Sequence, residues 1–195
     1  MTVPAWLQRA PTRGDGRWTH LAAAVASGEV LLHGSPTPGL TALEPRAPID
    51  HSLDLYSKQT AVFATEDPTW AISYAIRSAR CRRFLNTCFY PGPFPGDWSQ
   101  RRIFLSYAAT TDGLAPTESG VVYVLSSAAF TRMPSYHDPV LGQITECQWV
   151  STGTVPVVAE VPVAPENLPS RPLLHDFDSV TRRVATDPAG FPWLS

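Results

Sequence analysis

Val30-Leu31-Leu32-His33-Gly34-Ser35-Pro36 and, further along, Val62-Phe63-Ala64-Thr65-Glu66-Asp67-Pro68 are the stretches on which the fold turns. The first is an apolar run at Val30–His33 closed by Gly34, Ser35 and Pro36, the pattern of a short strand entering a turn. The second continues a strand that begins at Thr60 and ends at Ala64. Asp67 and Pro68 then read as the N-cap and first residue of a helix. An aspartate accepts orphan backbone N–H groups there, and proline's missing N–H costs nothing. The pattern predicts a helix from Pro68 to about Arg82, with Ala71, Tyr74, Ala75 and Ser78 along one face.

Outward from this centre, residues 1–16 are rich in Pro, Arg and Gly and read as an N-terminal arm. Trp18, Leu21, Ala22 and Val25 recur at helical spacing and end before Gly28, predicting a helix over Trp18–Ser27. Pro36–Gln59 reads as a long loop with one helical turn. Tyr90-Pro-Gly-Pro-Phe-Pro-Gly-Asp97 reads as irregular. Strands are expected at Arg102–Tyr107, Val121–Leu125, Gln143–Val150 and Val155–Val163, and a closing helix at Ser179–Ala185. This order implies an α+β fold, a split antiparallel sheet with flanking helices, forming one domain over 17–195 after the arm.

Composition narrows the function. The 195 residues carry 15 basic and 17 acidic side chains, a formal net charge of −2, which gives no electrostatic basis for nonspecific nucleic-acid binding. Arginines cluster locally at Arg77, Arg80, Arg82 and Arg83 and at Arg101 and Arg102, as a solvated face or the rim of an anion site. The 20 prolines predict many loops and short elements. Cys81, Cys88 and Cys147 are odd in number and lack C-x-x-C spacing, which argues against a disulfide framework or a four-cysteine zinc site. His137-Asp138 and His175-Asp176 lack metal-ligand spacing, so no metal is expected. The Leu21–Ala26 run is too short to cross a bilayer, and no secretion signal is legible, so the expectation is a cytoplasmic protein without membrane association.

Leu32-His33-Gly34-Ser35 followed by Phe63, and by Tyr74 eleven positions later, resembles the ADP-ribosyltransferase superfamily, in particular its diphtheria-toxin-like and poly(ADP-ribose) polymerase-like branch. That branch begins its site with a strand ending in His-Gly-Ser or His-Gly-Thr. A second strand supplies an aromatic, usually Tyr, and a tyrosine follows eleven positions later on a helix. A looser likeness in layout extends to the small rifamycin-modifying ADP-ribosyltransferases. The resemblance implies NAD+ as substrate, with His33, Gly34, Ser35, Phe63 and Tyr74 binding it. Gly34 backbone groups would hold the nicotinamide carboxamide, Phe63 and Tyr74 would sandwich the ring, and His33 would bond the adenosine-side ribose. Phenylalanine at 63 keeps the stacking surface and lacks the usual hydroxyl.

Cleavage of the nicotinamide–ribose bond builds positive charge at the anomeric carbon, which calls for a carboxylate. Glu146 is the expected catalytic acid, beside His33. In Gln143–Val150, strand alternation places Ile144, Glu146 and Gln148 on one face and Thr145, Cys147 and Trp149 on the other. A charge among apolar neighbours is costly unless it is paired or lines a cleft. Glu118 and Asp138 are the alternative acids; the rifamycin-modifying relatives place an aspartate in a loop comparable to that of Asp138. Ile144 stands where the arginine-modifying branch has Glu or Gln, so arginine is not expected as target. The expectation is an enzyme that transfers ADP-ribose to a protein, nucleic acid, small molecule or water, with a neutralising partner protein as a variant. The alternative is a non-catalytic nucleotide- or partner-binding domain.

Overall fold

Short apolar runs interrupted by prolines fold here as short strands, mostly antiparallel, with three helices among the residues described, 4–48 and 56–194 of a computed structural model. In chain order they are β1 (Gln8–Arg9), α1 (Gly16–Val25), β2 (Val30–Ser35), β3 (Ala42–Leu43), β4 (Val62–Ala64) and α2 (Pro68–Ala75). There follow β5 (Phe84–Pro91), β6 (Arg102–Ala108), β7 (Gly120–Ser126), β8 (Thr131–Arg132), β9 (Tyr136–Asp138) and β10 (Gly142–Glu146). The chain ends with β11 (Trp149–Ser151), β12 (Val155–Val163), β13 (Leu173–His175) and α3 (Phe177–Thr186). One sheet runs β1-β6-β5-β10-β9, with β13 parallel to β6; a second runs β2-β7-β12-β3 and a third β4-β11-β8.

α2 lies between the sheets. Ala71, Ile72, Ala75 and Ile76 pack with Leu32, Val122 and Val161 of the second sheet and with Trp18 and Leu21 of α1. Trp70, from the same helix, packs with Cys88, Tyr90, Ile103 and Leu105 of the first sheet. α1 is tied to α2 by a buried hydrogen bond in which Trp18 Nε1 donates to Thr69 Oγ1 at 2.8 Å.

The sequence-predicted elements recur, with five corrections. α2 stops at Ala75, because the next residues pair with a neighbouring segment. Arg77 bridges Thr117, Ser78 N donates to Pro116 O, and Glu118 N donates to Ile76 O. β5 falls between the helix expected to end near Arg82 and the irregular stretch expected from Tyr90, where no element was expected. Its faces are Phe84, Cys88 and Tyr90 on one side and Leu85 and Phe89 on the other, both packed in cores, so no polar alternation marks it. The strand expected over Gln143–Val150 breaks at Cys147–Gln148 and passes from the first sheet (β10) to the third (β11). The loop expected over Pro36–Gln59 carries β3, and its stretch 49–55 lies outside the described residues. Within the N-terminal stretch, β1 pairs with β6, and Leu7 and Ala10 are buried.

Two buried polar groups make testable demands on this fold. Asp67 and Arg101, both fully buried, form an ion pair, and burial lowers the arginine pKa only to about 10, so it stays charged. Arg101→Met leaves Asp67 charged and unpaired, which should cost about 3–5 kcal/mol in urea denaturation. Adding Asp67→Asn should recover part of this, since Asn still caps α2. His175 Nδ1 lies 2.8 Å from Ser106 Oγ, while its buried Nε2 has no partner among the described residues. Burial, and then Arg83, lower its pKa from 6.5 to about 4 against the opposing pull of Asp176. Above the upper value both folded and unfolded chains hold it neutral; between the two, only the unfolded chain takes up the proton. Stability should therefore fall as pH falls through this window, by about 3 kcal/mol in all, and level off below it. His175→Gln should flatten that slope in denaturation curves.

Candidate functional site

β2 and β4 lie side by side but pair at one point only. Leu32 N donates to Thr65 O at 2.8 Å, Thr65 N donates to Leu32 O at 2.9 Å, and this bridge stands isolated. In an antiparallel ladder a residue's N–H and C=O face the same edge, and successive residues alternate between edges. Since Leu32 directs both groups at Thr65, Gly34 directs its N–H and C=O to the same edge, opposite Phe63. The ladder does not continue there. Instead the His33 imidazole reaches across, and its Nδ1 donates to Phe63 O at 2.7 Å. The carbonyl that faces the Gly34 N–H in a continued ladder thus accepts from a side chain, and the bridge at Leu32 and Thr65 stays isolated.

The opening has two faces. Paired residues of adjacent strands share a face, so Leu32 and Thr65 point the same way, and so do Gly34 and Phe63. Leu32 packs under Ala71 and Ile72, which identifies this as the α2 side. Val62 and Ala64 pack on the opposite side with Leu31 and Tyr123. Gly34 fits because it lacks Cβ: a methyl there would lie 1.9 Å from Ala71 O, 2.6 Å from Ala75 N and 2.9 Å from Tyr74 Cβ. The close approach expected at this glycine is made by the backbone of α2.

Tyr74 stands apart from the rest of its helix. Every other residue of α2 is buried, while Tyr74 is 39% exposed. Its ring meets Phe84 edge-on, with centroids 5.1 Å apart, and its hydroxyl donates to Asn86 Oδ1 at 3.0 Å. Phe84 stacks in turn on the buried Tyr107, whose hydroxyl donates to Ser73 O. Phe63 is half-buried on the same side of the opening. Ser35 is buried and accepts from Thr37 N at 3.1 Å, turning the chain out of β2. Tyr123 holds that turn, donating to Thr37 O and accepting from Leu40 N.

Burial lowers the pKa of His33, against the effect of its bond to the Phe63 carbonyl, and Arg46 lowers it further. The ring is therefore neutral at physiological pH, with Nδ1 as the donor and Nε2 as an acceptor.

The expected acids are placed differently. Glu146 ends β10 in the first sheet, opposite Phe89, and its Oε1 accepts from the Tyr136 hydroxyl at 2.7 Å. Its connection toward β4 runs through Arg132, which donates to Glu146 O at 3.1 Å and pairs with Glu66 at 2.7 Å. Gln148 donates to Ser57 Oγ. Asp138 accepts from Val140 N and Leu141 N, capping the turn into β10. Glu118 is half-exposed and lies 4.0 Å from Arg80.

Two groups near the opening were not anticipated. Glu66, directly after the Thr65 bridge, holds Arg132 and accepts from Trp149 Nε1 at 2.6 Å. Asn86 accepts from Tyr74 and from Trp70 Nε1. The one sequence signal for Asn86 is a polar residue inside the apolar run Phe84–Tyr90. A hollow bordered by Trp6, Gln8, Ile103 and Leu173 shares no residue with the opening and, at about 10 Å³, holds at most one water. No group of three metal-ligating side chains occurs among the described residues, and no helix there is long and apolar enough to cross a membrane.

No family model matches the chain, and neither a curated protein nor a solved structure matches it.

The Gly34 contact predicts a specific defect. Gly34→Ala should force α2 away from β2 and lower stability by about 1–3 kcal/mol. Gly153→Ala, where a Cβ meets nothing within 4 Å, should stay within about 0.5 kcal/mol of the parent in the same urea titration.

Proposed function

We propose that the opening between β2 and β4 binds the nicotinamide end of NAD+ and that the chain is an ADP-ribosyltransferase-like enzyme. The observation that carries this reading is the interrupted ladder. Gly34 directs its N–H and C=O to the edge where the ladder stops, with Phe63 and the exposed Tyr74 on the same side. A carboxamide needs one donor and one acceptor side by side, and an extended backbone edge supplies both. A flat cationic ring beside that carboxamide gains from aromatic faces, about 0.5–1.5 kcal/mol for each ring pair beyond burial. His33 Nε2 accepts from a ribose hydroxyl, while Nδ1 stays committed to Phe63.

In the reaction the bond between ribose C1′ and the pyridinium nitrogen breaks, and its electron pair goes to the ring, which leaves as neutral nicotinamide. The oxocarbenium-like carbon is then attacked by an acceptor nucleophile or water, which loses a proton. Glu146 is the carboxylate assigned to stabilise the developing charge. A second reading, a nucleotide-binding domain without turnover, is favoured by one observation: the Glu146 carboxylate is engaged by Tyr136 and stands on a different sheet from His33.

Incubation of the purified chain with NAD+, with nicotinamide followed by chromatography, separates these readings. The enzyme reading expects steady release, reduced about 10²-fold or more by Glu146→Gln and strongly by His33→Ala. NAD+ binding by calorimetry without release, unchanged in Glu146→Gln, supports the second reading. Neither binding nor release eliminates both.

A further inference from the structure

We infer that Asn86 is the positioning residue of the site, holding the Tyr74 ring at a set angle to the nicotinamide slot; this rests on the function proposed above. Asn86 lies on β5 between Phe84 and Cys88, on the face of that strand turned toward α2. Its neighbours on this face are apolar and Asn86 is half-buried, so its amide gains from partners within the protein.

The partners are specific. Asn86 Oδ1 accepts from Trp70 Nε1 at 2.7 Å and from the Tyr74 hydroxyl at 3.0 Å. An indole N–H can only donate, so the amide atom facing Trp70 is the oxygen, and the amide orientation is fixed by chemistry. Both lone pairs of one carbonyl oxygen are thereby used on two rings four residues apart on α2, one turn of helix. Trp70 is 5% exposed and serves the core; Tyr74 is 39% exposed and borders the opening. The side-chain nitrogen makes a long bond, 3.4 Å, to Phe84 O.

The Phe84 and Asn86 contacts of Tyr74 act at different ends of a ring that also packs at a tilt on Trp70, 6.2 Å between centroids. Phe84 meets the ring edge-on at 83° and limits its tilt, while Asn86 anchors the hydroxyl and limits its swing about the Cβ bond. A 39% exposed ring gains rotamer freedom when its hydroxyl is released, and a ligand stacking on it then has to fix one rotamer. With the hydroxyl anchored, that ordering is made during folding. The residue therefore acts on NAD+ binding through Tyr74 and does not touch the reacting atoms.

The test is a double-mutant cycle on NAD+ turnover. Tyr74→Phe keeps the ring, removes only the anchored hydroxyl and leaves the Trp70 bond in place. It should raise KM for NAD+ about five- to tenfold, the equivalent of one misaligned aromatic contact, with kcat within about threefold. Asn86→Ala should raise KM by a similar factor, and the double variant should be no worse than the poorer single one. Asn86→Asp, which retains the acceptor oxygen, should restore KM to within about twofold. A purely structural role lowers the folded fraction, and so kcat, and leaves KM unchanged. That pattern, or a Tyr74→Phe variant with the parent KM, overturns the inference.

A readout that needs no NAD+ accompanies it. In protein labelled with 3-fluorotyrosine, the ¹⁹F signal of Tyr74, assigned by its loss in Tyr74→Phe, should be a single sharp resonance. In Asn86→Ala it should broaden or split through rotamer exchange, and in Asn86→Asp it should recover. An unchanged signal in Asn86→Ala overturns the role of Asn86 whatever the ligand. A changed signal in a chain that neither binds nor cleaves NAD+ leaves the ring anchor standing and removes the proposed function.

Discussion

Asp67 and Arg101 carry the architecture between them. Asp67 accepts from Trp70 N and so starts α2, and the same carboxylate meets Arg101 with both side chains fully buried. Arg101 also donates to Trp98 O and Pro11 O and lies over the Trp98 ring, 3.2 Å from its centroid. One guanidinium thus ties the central helix to the start of β6, to the turn before it and to the N-terminal stretch. Burying two charges is expensive, and the attraction offsets that expense only if the remaining donors are satisfied. Here they are satisfied by backbone carbonyls, which makes the pair a constraint on position as much as a source of stability. α2 cannot slide without leaving a charge stranded.

The position of α2 determines the candidate site. Its backbone rests on Gly34 and Gly120, where a Cβ would come within about 2 Å of Ala71 O and Ala75 O respectively. Contact at that range brings Tyr74 to the edge where β2 parts from β4. At the parting the His33 imidazole donates to the Phe63 carbonyl, on the edge where the ladder stops. A second linkage, from Glu66 through Arg132 to the Glu146 carbonyl, joins the segment after β4 to β10 across two sheets. Glu146 is connected to the opening by this route, while its carboxylate is occupied by Tyr136.

Much of the local structure was legible because its causes are local. Asp67-Pro68 marked the start of α2, and apolar periodicity marked α1, β2, β7 and β12. The failures share a different cause. β5 buries both faces, so the alternation that reveals a half-exposed strand is missing. α2 ends early because residues 116–118, forty positions away, take the backbone groups that another turn would have used. The break after Glu146 follows from the passage between two sheets, which no single residue announces. Helical spacing placed Tyr74 on a face with Ala71 and Ala75, both of which are buried. Tyr74 itself is 39% exposed, and Phe84 and Asn86 of β5, the strand not foreseen, meet it from the side.

Sequence alone determined the α+β composition, the caps and turns, the strand ending in His33-Gly34-Ser35 and the eleven-residue interval between Phe63 and Tyr74. Those properties depend on side-chain size, backbone freedom and hydrogen bonding within a few residues, all of which can be read in one dimension. Tertiary structure alone decided that the ladder stops at Leu32 and Thr65, that a helix backbone fills the space beside Gly34, and that Asn86 serves two rings. It also decided that Glu146 lies on another sheet. Each of these depends on which distant groups compete for the same hydrogen bond or the same volume, and that competition exists only once the chain has folded.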